Sequence, residues 1–189
     1  MAQTPTIKIK KKWVSIVAPK LFDNKELGES YCLDSNSLLN RHVTVSLMFI
    51  TNDPKKQSIN LSFKINSIKG DVANTELVGY EISPVHVRRM AKKSKMKVED
   101  SYVCVSKDGI NVRVKPLILT KAKIFNSVAT SMRKSIKEFI EAYLKKNTFE
   151  QFAQSVMNND LQKDMRNIVK KIYPATSSLI RVFKIEASK

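Results

Sequence analysis

SKDGINVRVKPLILTKAKIF, residues 106–125, carries a turn, a two-faced strand and the approach to a basic helix. Asp108-Gly109 reads as the two-residue turn of a hairpin, because Gly readily takes the positive φ such turns demand. After it the residues alternate. Ile110, Val112 and Val114 point one way; Asn111, Arg113 and Lys115 point the other. One face can be buried while the other holds polar and cationic groups outside. Residues 109–137 contain Arg113, Lys115, Lys121, Lys123, Arg133, Lys134 and Lys137 and no acidic residue, so nothing nearby in sequence neutralises that row.

The imbalance is general. The 189 residues include 34 Lys and Arg against 17 Asp and Glu, a formal net charge of +17, while a hydrophobic content of 42% is ordinary for a folded chain. Such a field attracts phosphates and costs the compact state self-repulsion unless a polyanion neutralises it. No apolar run approaches the roughly 20 residues of a membrane-spanning helix, and no signal peptide is legible at the N-terminus. A cytoplasmic protein with no membrane partner is expected. Cys32 and Cys104 lack metal-ligand spacing, and His42 and His86 are the only histidines, so no metal site and no cofactor are expected. Cys104, inside an apolar run, reads as a small buried hydrophobe. No phosphate-loop or dinucleotide motif occurs, and Glu99-Asp100 reads as solvated or turn-capping charge. No catalytic residues are assigned, and the chain is not read as an enzyme.

Residues 1–12 form a basic arm ending in Lys8, Lys10, Lys11 and Lys12, disordered until it meets an anion. Trp13 reads first as a core residue and second, since it adjoins the arm, as a stacking platform for a base. A strand over 13–17 stops at Ala18-Pro19, and the polar residues 21–41 read as loop with a short helical turn near Ser37. Strands follow over 42–47, with Met48-Phe49-Ile50 extending the apolar run, and then over 58–68 and 72–82. Ser83-Pro84 opens a helix that carries Arg88, Arg89, Lys92, Lys93, Lys95 and Lys97 without an acid. Beyond the hairpin, Phe125, Val128, Met132, Ile136, Phe139 or Ile140, and Tyr143 mark the apolar stripe of a helix over 121–146. Thr148 and Gln151 make a capping box for the next helix. Leu161, Met165, Ile168 or Val169, and Ile172 mark another, ended by Pro174, before a last strand over 179–186. The expected architecture is α+β: a β-barrel-like curled sheet flanked by about four α-helices. One domain over 13–189 is expected, mostly sheet over 13–120 and mostly helical over 121–174.

Several short motifs stand in a particular order: Lys11-Lys12-Trp13 with Ala18-Pro19, Phe22 and Leu27-Gly28-Glu29; Val45-Ser46-Leu47 with Thr51, Asp53 and Lys56; Gly79 with Glu81; Lys107-Asp108-Gly109 with Val112-Arg113-Val114-Lys115-Pro116; and Lys170-Lys171-Ile172-Tyr173-Pro174. In this order they resemble the S3Ae family of archaeal and eukaryotic small-subunit ribosomal proteins, in its archaeal-length form. Asn40 stands where the family usually has Gly, and Ala175-Thr176-Ser177-Ser178 is neutral where Arg pairs are usual. The resemblance implies a structural constituent of the small subunit, seated on the platform near the mRNA exit and the 3′ end of the rRNA. Its implied partners are small-subunit rRNA, neighbouring platform proteins and mRNA at the exit. The alternative is an exchangeable basic RNA-binding factor in translation or RNA processing. On either reading the RNA-binding residues are the arm and helix cations above, together with Arg113, Lys115, Lys121, Lys123, Arg133, Lys134 and Lys137.

Overall fold

The computed structural model describes residues 10–186, so the arm up to residue 9, including Lys8, lies outside them. The chain forms two compact units. The first takes residues up to Gln57 together with Leu61–Val78; the second takes Ser58–Asn60 together with the chain from Gly79 onward.

In the first unit β1 (Lys12–Val17) pairs antiparallel with β2 (Glu26–Cys32) and parallel with the start of β5 (Val72–Ile82). β4 (Ile59–Lys69) pairs with β5 across the turn at Gly70 and with β3 (His42–Ser46). Alternation builds these strands as expected: Val14 and Ile16, then Leu61, Phe63 and Ile65, then Ala73, Thr75 and Leu77 are buried. Phe22 meets Phe63 edge-on at 5.6 Å, and the Thr75 hydroxyl donates to the Val17 carbonyl at 2.8 Å.

Two expectations change here. Residues 26–32 are a strand and not a loop. β2 is an edge strand with only Leu27 and Cys32 buried, so Glu26, Gly28 and Glu29 meet solvent and the segment lacks an apolar signal. Met48-Phe49-Ile50 belongs to a helical turn, α1 (Leu47–Thr51), which buries Leu47 and Ile50 and exposes Met48 and Phe49. The Lys25 ammonium closes its C-terminus, donating to the Phe49 and Ile50 carbonyls at 2.8 and 3.1 Å and to Asn52 Oδ1 at 3.3 Å. A cation is favoured there by the partial negative charge of unpaired helical carbonyls. Asn40, at φ 64, supplies the left-handed conformation that Gly would otherwise provide.

In the second unit the end of β5 pairs antiparallel with β9 (Ala175–Ile185), and β9 pairs antiparallel with β8 (Asn111–Thr120). Along its other edge β8 takes β7 (Tyr102–Val105) and then β6 (Lys97–Glu99). β9 begins at Ala175, ahead of the expected 179, because the neutral residues 175–178 pair with the end of β8. Four helices accompany these strands: α2 (Pro84–Met90), α3 (Asn126–Lys146), α4 (Phe149–Met157) and α5 (Asp160–Lys170). The described residues are thus α+β, with nine strands and five α-helices. The strands pair in open ladders, with bulges at Ile16/Val17 in the first unit and at Lys115/Pro116 and Leu119/Thr120 in the second, each bending its strand locally.

The stripe of α3 is core at Ala129, Met132, Ile136, Ile140 and Leu144, whereas Phe125, at the N-cap position, is 84% exposed. The Thr148–Gln151 capping box forms in both directions. Phe183 of β9 anchors the aromatic core, stacking on Tyr80 at 5.1 Å and meeting Phe152 and Phe149 edge-on at 5.4 and 5.9 Å.

The hairpin loop differs in detail from the expected two-residue turn. Gly109 N–H donates to the Ser106 carbonyl and Ser106 N–H to the Ile110 carbonyl, both at 2.9 Å. The loop is therefore Lys107-Asp108-Gly109, a turn followed by Gly109 in the left-handed region at φ 76.

Candidate nucleic-acid interface

In the first unit Lys10, Lys11 and Lys12 are exposed where the chain enters β1. Trp13, expected in the core, is 61% exposed. It lies opposite Tyr31 in the β1–β2 register, with ring centroids 4.8 Å apart, and the Lys11 ammonium sits 5.4 Å from the Tyr31 centroid. Strand alternation explains the position: Val14 and Ile16 occupy the buried face, so Trp13 and Ser15 must take the other.

In the second unit the basic helix is shorter than expected. α2 ends at Met90, so Arg88 and Arg89 are helical while Lys92, Lys93 and Lys95 lie in the following turn and Lys97 begins β6. Continuing the helix would set Arg88 against Lys92 and Arg89 against Lys93, like charges four residues apart. Lys97 instead pairs with Glu99 at 2.8 Å.

Alternation along β8 is as expected: Val112 and Val114 are fully buried, and Arg113 and Lys115 are half-exposed. The bulge after Lys115 turns Pro116 inward, and residues 116–120 are all buried. Lys121 and Lys123 emerge exposed beyond the strand.

The row of cations is partly neutralised, however, by carboxylates distant in sequence. Arg113 donates through Nε to Glu186 and through a terminal nitrogen to the Ser101 hydroxyl at 3.2 Å; the Glu186 bond holds its pKa above the ordinary guanidinium value. Lys184, directly opposite Arg113 on β9, pairs with Glu81 at 3.9 Å, and Arg181 pairs with Glu99 at 3.1 Å. Together Glu81, Arg113, Lys115, Arg181 and Lys184 line a shallow cavity of about 140 Å³. Arg181, Lys184, Glu81 and Glu186 escaped the sequence reading because only strand pairing and the chain after β9 bring them together, and Glu99, expected to be solvated, pairs with Arg181 and Lys97. Lys115 has no ion-pair partner among the described residues.

On α3, Lys134 and Lys137 are exposed and Arg133 is half-buried, its carbonyl accepting from the Tyr102 hydroxyl at 3.1 Å. Lys137 pairs loosely with Glu141 at 3.8 Å. Cys104 is buried, and burial pushes its thiol pKa up, the environment of a packing residue. The described residues contain no cluster of His, Cys, Asp and Glu that could hold a metal, and no helix long and apolar enough to cross a membrane. What the geometry offers is cations on short segments, several without acidic partners, and one exposed aromatic pair.

The model of the Ribosomal S3Ae family matches residues 7–189. The chain is 36% identical over 187 residues to small ribosomal subunit protein eS1 of Saccharolobus islandicus, covering 97% of this chain and 90% of that one. It is 32% identical over 164 residues to the protein of the same name from Methanothermobacter thermautotrophicus, covering 87% and 84%. To that of Halorubrum lacusprofundi it is 30% identical over 177 residues, covering 94% and 82%.

Proposed function

Because the chain belongs to the ribosomal S3Ae family, we propose that it is a structural constituent of the small ribosomal subunit, located with the ribosome in the cytoplasm, where it binds and stabilises rRNA. The observation that carries the RNA part is the set of cations with no ion-pair partner among the described residues. Among them are Lys10, Lys11 and Lys12 in one unit, and Arg88, Arg89, Lys92, Lys93, Lys95, Lys115, Lys121, Lys123, Arg133 and Lys134 in the other. Leaving so many like charges unmatched costs stability unless phosphates complete them. Lys97, Arg113 and Lys137 already hold carboxylates and contribute less per residue. A protein neutralising roughly 6 to 10 phosphates loses about 10³- to 10⁵-fold in affinity between 50 and 200 mM salt, so many dispersed contacts suit a permanent seat. The seat itself, on the platform beside the mRNA exit and the rRNA 3′ end, rests on the family resemblance, as do its neighbouring proteins and any mRNA contact.

Co-sedimentation tests this reading. After a moderate salt wash the protein should remain with small subunits, and crosslinks from Lys115 and Lys121 should map to rRNA. A substantial free pool would overturn the structural role and favour an exchangeable factor.

A further inference from the structure

Exposed Trp and Tyr side chains facing one another across an edge pair of strands need an explanation, because their burial would be worth more than their display. Trp13 and Tyr31 are 61% and 52% exposed, in contact at 4.8 Å between centroids, with Lys11 over the Tyr31 ring at 5.4 Å. Lys10 and Lys12 are exposed as well, Lys12 sharing the strand parity of Val14 and not that of Trp13. On the same face Glu29 stands opposite Ser15 at the far side of the pair, and the end toward the arm carries three lysines and one carboxylate, Asp34, two residues beyond Cys32.

We propose that Trp13, backed by Tyr31, is a stacking platform for an unpaired RNA base whose flanking phosphate is held by Lys11, with Lys10 and Lys12 adding positive charge at the strand entrance. A nucleotide offers a π face and an anion together, the two chemistries this surface presents. A protein partner seated on the pair would have to bury three unpaired ammonium groups at its margin, which disfavours it. The antiparallel register fixes the two rings in place before any ligand arrives, so little conformational entropy is lost on stacking. The inference rests on the RNA-binding reading above and adds to it a base-contacting site, where the other cations contact only backbone.

Trp13 is the only tryptophan in the chain, so its fluorescence reports on this site alone. The experiment uses the full chain with two probes of equal length and charge, a short oligoadenylate and an abasic ribose-phosphate chain. Binding is followed by anisotropy of a labelled probe and stacking by Trp13 emission. Oligoadenylate should quench Trp13 and the abasic chain should not. Trp13→Ala should weaken oligoadenylate binding at least about fivefold and leave abasic binding unchanged, while Trp13→Phe should retain most of the affinity. Oligoadenylate binding without quenching, or equal quenching by both probes, overturns the platform and leaves the RNA reading intact. So does protection of Trp13 in assembled subunits by a protein instead of a base. Failure of both probes to bind overturns the RNA reading as well.

Discussion

The Asp108 carboxylate accepts a hydrogen bond from the Phe149 backbone N–H at 3.0 Å, tying the hairpin loop to the first turn of α4. Beside it the Lys107 N–H donates to the Leu144 carbonyl at 3.1 Å at the end of α3. Thr148 caps the Gln151 N–H of the same helix, so Asp108 supplies a second acceptor from 41 residues away. Its negative charge also suits the helix N-terminus. The loop that looked like a register device is equally a docking point for the helical corner.

Asp108→Ala should therefore destabilise the protein by about 1 kcal/mol, the usual cost of a lost N-terminal cap. Gly109→Ala, placing a Cβ at φ 76, should cost about 1 kcal/mol more for backbone strain. For a chain of this size each corresponds to a fall of roughly 2–4 °C in Tm. Thermal unfolding checks both, and an unchanged Tm in the Asp108 variant would mean that water replaces the carboxylate without loss.

Lys115 and Arg113 should separate by assay. Lys115 has no carboxylate, so Lys115→Ala should leave Tm within about 0.5 kcal/mol of unchanged and lower the slope of log affinity against log salt by about 1. Arg113→Ala frees Glu186 and Ser101, and should lower Tm slightly, as loss of an exposed ion pair does. Its effect on RNA affinity should be the smaller of the two. Titration of rRNA fragments at several salt concentrations, beside Tm measurements, distinguishes them; the reverse ranking would mean RNA displaces Glu186.

Which of these features the sequence carried depends on whether local order governs them. Val112 and Val114 inward with Arg113 and Lys115 outward and the Thr148–Gln151 box are set by neighbours within four positions and were legible, whereas the α3 stripe was legible at Met132, Ile136 and Ile140 but not at its ends, where Ala129 and Leu144 are buried and Phe125 is not. β2 was not, because an edge strand open to solvent needs few apolar residues. The end of α2 was misplaced because no breaker follows Met90; Met96 and Val98 leave the helical path as β6 pairs with Leu117, Ile118 and Leu119 of β8. Trp13 was misread because hydrophobicity argues for burial, whereas its parity with Val14 and Ile16 puts it outside. The carboxylates beside Arg113 and Arg181 lie 73 and 82 residues away, beyond any local pattern.

Lys25 should matter to stability although it looks like one more surface cation. Among the described residues it is the sole side chain that bonds the Phe49 and Ile50 carbonyls and Asn52 together at the end of α1. Lys25→Met keeps the aliphatic stem and removes the donor, and should cost about 1–2 kcal/mol. RNA affinity at fixed temperature should barely move. A variant of native Tm that binds RNA more weakly would instead make Lys25 a phosphate contact.

Alkaline pH should destabilise the fold through groups buried neutral. Burial raises the Tyr80 and Cys104 pKa values, opposed at Tyr80 by the Gln162 bond. Burial and then Asp100, which accepts the Tyr102 hydroxyl at 2.7 Å, raise that of Tyr102. In the unfolded chain these groups lose their protons near their ordinary values, about 8.5 for Cys and about 10 for Tyr. As pH rises through that range the unfolded state therefore binds fewer protons than the native state, and stability falls. The contribution is fully present below about pH 8 and is lost progressively above it. Tm measured from about pH 7 to about 11 should decline, and the decline should be shallower in Tyr102→Phe, which removes one of the three groups even though it sacrifices the bonds to Asp100 and to the Arg133 carbonyl. Lysine deprotonation, which begins near 10.4, works in the opposite direction by relieving self-repulsion. A variant that lowers Tm equally at every pH, leaving the slope untouched, would show that Tyr102 ionises as freely in the fold as outside it.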